Sequence, residues 1–155
     1  MNIFVLHENP IVAAQMENNK HIIKMFLESC QLLCSPFEKE DGAPYKRTHY
    51  NHPCSIWVRT SKQNYMWLLE HTSALNEEYS NAYKKIHKCL EVLNWCKENY
   101  YLLNLPDVGL TPFALAMPEQ YKVAGDAVTS YRNYYKGDKA GFSKWTHGRQ
   151  QPYWW

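Results

Sequence analysis

The stretch Asn18–Cys34, NNKHIIKMFLESCQLLC, constrains the fold more than any other part of the chain. At about 100° per residue along a helix, Glu17, Lys20, His21, Lys24, Glu28 and Gln31 share a stripe roughly 100° wide. Outside it stand Ile22, Ile23, Met25, Phe26, Leu27, Cys30, Leu32 and Leu33, which are apolar or small. An ordinary surface helix has a limited apolar face and a broad wet one; this stretch reverses the proportions. The spacing predicts a mostly buried helix with its titratable groups gathered on one line. Charges at a buried edge are costly unless paired or used. Lys20, His21, Lys24 and Glu28 are therefore candidate site residues, with a solvated helix edge as the plain alternative.

With 155 residues the chain is long enough for one domain with a real core. Its 17 Lys and Arg nearly balance 15 Asp and Glu, so any anion site must be local rather than a whole-protein field. The 12 Tyr and 6 Trp either fill a core or form a stacking surface. Five cysteines, an odd number, lie mostly in apolar helical patterns. No secretory leader pattern opens the chain, and no window approaches the ~18 apolar residues of a membrane span. Free buried thiols in a reducing, cytoplasmic setting are expected.

Met1–His7 reads as a short strand or an extended arm. Asn9-Pro10 is a helix start, with Asn as cap and Pro at the first helical position. The helix through Glu17 either continues into the central one or kinks at Asn18-Asn19, and Ser35-Pro36 stops it. Phe37–His52 reads as a loop whose second half, through Arg47, His49, Tyr50 and His52, interleaves basic and ring side chains suited to phosphate and base contact. Pro53 opens a further helix with Ile56 and Trp57 on its inner face. Three- and four-residue steps run from Lys62 to Asn99, with a break expected between Ser73 and Asn81. Tyr100–Gly125, interrupted by three prolines, reads as a long packed loop. Asp126 caps a helix expected to end near Tyr135, and an aromatic tail follows. The fold class is mainly α: a compact single-domain helical bundle with long loops.

Phosphate-cradling glycine loops, CxxC, HExxH and GxSxG are all absent from the sequence. His49, His52 and Cys54 have zinc-compatible chemistry, but their spacing matches no closed ligand set, so no metal and no cofactor are expected. The cysteines sit on apolar faces, which argues against a reactive thiol; Cys54, beside His52, is the one to watch. On the central stripe, His21, Lys24 and Glu28 can converge on one groove. There Glu28 can exchange protons or stabilise a cation, and Lys20 and Lys24 can hold a phosphate. A Lys24–Glu28 ion pair at i,i+4 is the structural alternative.

The order of these features resembles the pyrimidine-dimer DNA glycosylase family, the phage endonuclease V type and its broader bacterial relatives. The resemblance is carried by Asn19-Lys20-His21, Lys24 and Glu28, then Asn51-His52-Pro53 with Trp57. It continues through Tyr131-Arg132-Asn133-Tyr134-Tyr135-Lys136 to Trp145 and Pro152-Tyr153-Trp154-Trp155. It implies a helical domain that excises a damaged base and cleaves the abasic strand, with an N-terminal amine as nucleophile and a helix glutamate assisting. On that basis Met1, Glu28 and His21 are the expected catalytic residues. Lys20, Lys24, Gln31, Arg47, His52, Arg132 and Lys136 are the expected DNA contacts. Three positions depart from the family pattern: Asn2 is too large for ordinary removal of Met1, and Leu27 and Gln31 replace arginines beside the glutamate. A non-catalytic nucleic-acid or nucleotide module, or a structural protein joined through its aromatic tail, are the alternative readings.

Overall fold

Five of the six α-helices begin where a polar side chain takes up free N–H groups of the first turn. Asn9 caps α1 (Pro10–Met16) and Asn18 caps α2 (Asn19–Cys34). His52 caps α3 (Pro53–Thr60) through its ring nitrogen, and Ser61 caps α4 (Lys62–Tyr83). After α5 (Leu90–Asn99), Asp126 caps α6 (Ala127–Asp138). This computed structural model describes residues 1–155 and contains these six α-helices, three short 3₁₀ turns and no strand. The mainly α expectation holds.

The helix α4 is the hub and packs against α1, α2, α3 and α5. Its inner face supplies Tyr65, Leu68, Leu69 and Leu75 to a core shared with Ile22, Phe26, Leu32 and Leu33 of α2. The N-terminal segment is an extended arm rather than a strand, and Ile3, Phe4, Val5 and Leu6 are buried within that core. The long loop before α6 is fastened at several points. Lys62 N–H donates to Pro106 O at 2.8 Å, and the Asn64 amide bonds both Thr111 Oγ1 and Thr111 N–H. The aromatic tail laps the α1–α2 junction, where Trp145 Nε1 donates to Met16 O at 3.0 Å.

Four expectations are corrected. The chain neither runs straight through nor merely kinks at Asn18-Asn19, because Glu17 adopts extended backbone between two separate helices. No break falls between Ser73 and Asn81: α4 runs on to Tyr83 and ends at Lys84, whose φ of +54° closes it. Its Ser and Asn residues lie on a helix whose Ala74, Leu75 and Ala82 stay buried, so packing overrides local preference. Ile56 points outward while Trp57 is buried. On α2, Ile23 and Leu27 are exposed whereas Glu17 and His21 are buried. Phe4 and the α6 aromatics close over one edge of the polar stripe, so the open face turns toward Ile23 and Leu27.

Candidate active site

The extended arm runs back across α2 and delivers the chain's first nitrogen to Glu28. The Met1 α-nitrogen lies 3.5 Å from Glu28 Oε2, and the Asn2 N–H donates to the same oxygen at 3.3 Å. On the other oxygen, Lys24 Nζ stands 3.9 Å from Oε1. The Glu28 side chain is 15% exposed, wet enough to reach a ligand and enclosed enough for its neighbours to matter electrostatically. An amine and a carboxylate at this separation are one hydrogen bond or one bridging water from proton exchange.

Beneath them the Asn2 side chain is bound on several sides. Its Nδ2 donates to Ala116 O at 2.7 Å, and its Oδ1 accepts from Ile3 N–H at 2.7 Å and lies 3.1 Å from the Tyr131 hydroxyl. Cys54 Sγ donates to that oxygen at 3.6 Å. Burial pushes the Cys54 thiol up to about 11, so it remains a protonated structural group. His52 stands nearby with its Nδ1 accepting Cys54 N–H at 3.1 Å. Burial, followed by the positive Met1 amine, lowers the pKa of this imidazole. It therefore enters the site as a neutral ring that also caps α3. With His52 Nδ1 and the Cys54 thiol both engaged, this loop offers no ready set of metal donors.

His21 is held away from this chemistry. Its Nδ1 is 2.7 Å from the Tyr135 hydroxyl, and that oxygen also accepts Asn18 N–H at 3.2 Å. Phe4 packs on the ring with centroids 4.4 Å apart. Burial, with Lys139 and Lys24 adding to it, depresses its pKa to about 3. Such a ring is uncharged at neutral pH, and its hydrogen bond goes to Tyr135 rather than to Glu28.

The expected DNA contacts divide into side chains left at the surface and side chains committed to the fold. Lys20 and Lys24 are exposed on the open face of α2, Lys20 with its Nζ 5.0 Å from the Phe142 ring centre. Gln31 is half-buried further along α2, and Lys136 is exposed beside Trp154. Arg47 is committed: its Nε donates to Ser35 O at 2.9 Å and its Nη2 to Phe37 O at 2.9 Å, which satisfies carbonyls at the end of α2. Arg132 donates to Leu6 O at 2.9 Å and lies against Tyr153 and Trp154, joining arm to tail. The structure thus gathers Met1, Glu28, Lys24 and His52, keeps Lys20 on the adjoining surface, and sets His21, Arg47 and Arg132 to structural work.

Sequence reasoning missed Asn2 as more than a bulky second residue, and it missed Arg59. The Arg59 guanidinium lies 3.6 Å from the Tyr50 ring centre, on a ring that Arg47 also approaches at 4.3 Å. Its only signal in the sequence was its place on the helix that follows the Arg47–Tyr50 segment. Compared with known proteins, the chain matches no family model, no curated protein and no solved structure.

Proposed function

We propose that the chain is a DNA repair or DNA-processing enzyme of the pyrimidine-dimer glycosylase type, acting on damaged or modified duplex through the Met1 α-amine. The observation that carries this reading is the 3.5 Å separation between that nitrogen and the Glu28 carboxylate. In the reaction the ammonium first gives a proton to Glu28. The freed lone pair then bonds C1′ of the damaged nucleotide as the bond to the base breaks, and the base leaves with that electron pair and takes up a proton. Glu28, having passed its first proton to the departing base, takes the amine's second proton and gives it to O4′ as the C1′–O4′ bond breaks and the ring opens, leaving an iminium at C1′ that the regenerated carboxylate stabilises. Removal of a C2′ proton then expels the 3′ phosphate by elimination, which cuts the strand.

Lys24 and Lys20 supply the phosphate contacts on the approach to this pair. The target nucleotide has to leave the stack to present C1′, at the cost of bending and unstacking the duplex. The five unpaired thiols fit a reducing compartment, the cytoplasm of a cell or of a phage host. No helix is long and apolar enough to cross a membrane.

The test is single-turnover cleavage of a duplex holding one abasic site, with and without borohydride. The expected result is a reduced protein–DNA adduct in wild type and a fall in cleavage of about 10²–10⁴-fold in Glu28→Gln. Salt-dependent binding with no adduct and no effect of Glu28→Gln would instead make the chain a nucleic-acid or nucleotide-binding module without chemistry.

A further inference from the structure

We infer that Asn2 is a positioning residue, which holds the Met1 amine against Glu28 by anchoring the start of the arm to the long loop and to α6. The inference rests on the amine-nucleophile reading above and adds the residue that aims the nucleophile. A chain terminus has only one covalent neighbour and frays unless tied down. Here the tie is the second residue. The Asn2 Nδ2 donor grips Ala116 O at 2.7 Å, and Oδ1 meets Ile3 N–H, the Tyr131 hydroxyl and the Cys54 thiol. Tyr131 is itself fixed, its hydroxyl 2.6 Å from Ala114 O and accepting Ala116 N–H at 3.3 Å. With the side chain immobilised, the Asn2 N–H points at Glu28 Oε2, 3.3 Å away, and the attached Met1 nitrogen is carried to the same oxygen.

The anchor has a second consequence. Enzymes that remove initiator Met act when the second residue is small, so an anchoring Asn also keeps Met1 as the residue that bears the amine. Were Met1 removed, the terminal nitrogen would be that of Asn2, itself 3.3 Å from Glu28 Oε2 against 3.5 Å for Met1, so the anchored second residue keeps an amine at this carboxylate. Asn at this position thus sets the aim of the nucleophile.

The experiment uses Asn2→Leu and Asn2→Asp, both large enough to retain Met1, which intact mass reads directly. Asn2→Leu removes every polar contact of the side chain. Asn2→Asp keeps the accepting oxygen and loses the donor to Ala116. For each, the borohydride-trapping rate is measured at saturating abasic duplex, and the dissociation constant is measured on a duplex with a tetrahydrofuran abasic analogue. Asn2→Leu should trap about 10²-fold more slowly, with the dissociation constant unchanged within about twofold. Asn2→Asp should fall between Asn2→Leu and wild type. Trapping at the wild-type rate in a folded Asn2→Leu protein, or a dissociation constant that worsens as much as the rate, would overturn the inference. If Asn2→Leu does not fold, Asn2→Asp decides, and an unchanged rate there overturns it. A wild-type protein that forms no adduct removes the amine reading and this inference together, whereas an adduct equal in wild type and variants removes this inference alone.

Discussion

Glu17 and Glu28 lie along the same face of one sequence stretch, and the folded chain gives them opposite surroundings. Glu17 is sealed where α1 meets α2. Its Oε1 is 3.1 Å from His71 Nε2, and its Oε2 is buried with no hydrogen-bond partner. Burial raises its pKa, with the His71 ring opposing. His71 is held in turn by Pro10 O at 2.9 Å, and Arg149 donates to the Glu17 carbonyl at 2.7 Å while pairing with Glu78. Every contact at that end joins one part of the fold to another. Glu28 is partly exposed, and its neighbours are an amine and an exposed lysine that can exchange protons with a ligand. A buried carboxylate is spent on cohesion, and an accessible one beside a fixed amine is available for chemistry.

The largest expected effect is at the open end. Glu28→Gln lowers abasic-strand cleavage by about 10²–10⁴-fold while urea unfolding stays close to wild type; a comparable loss of stability would erase the contrast between the two carboxylates. At the sealed end the signs reverse. His71→Ala leaves Glu17 buried without its ring partner and costs about 3 kcal/mol of unfolding free energy. The cleavage rate per folded molecule should not change.

His21 sharpens the boundary between the two ends through pH. Its folded pKa of about 3 lies below the ordinary value of 6.5. Below 6.5 the unfolded chain therefore binds a proton that the folded one refuses, and stability falls as pH drops from 6.5 toward 3. His21→Gln should flatten that part of the stability profile relative to wild type, read by urea unfolding at pH 7 and pH 5. An equal fall in both proteins would show His21 to be chargeable in the fold. The smallest effects separate the cations. Lys20→Gln and Lys24→Gln should each reduce the salt slope of duplex binding by about 1. Arg47→Ala and Arg132→Ala should leave the slope unchanged and cost about 1–2 kcal/mol of stability.

Much of this was legible in the sequence. The caps at Asn9 and Asp126 and the central helix follow from residue type and spacing, whereas Glu28 stood out among the charges of the stripe only through the family resemblance. Periodicity places residues around a helix axis but does not say which neighbour covers which edge. The burial of His21 depends on Phe4 and Tyr135, which are distant in sequence, so its apparent membership of the wet stripe was misleading. Arg47 and Arg132 looked like phosphate ligands because their carbonyl acceptors belong to Ser35, Phe37 and Leu6, and backbone atoms leave no trace in composition. The long loop gave no periodic signal for the same reason: its role at Ala116 is a single carbonyl.

The most direct test of the account is the site of attachment in the borohydride-reduced adduct, read by proteolysis and tandem mass spectrometry after the DNA is digested to its sugar remnant. The account predicts the remnant on the α-nitrogen of Met1. A remnant on the side chain of Lys24 or Lys20, with the Met1 amine unmodified, would contradict it.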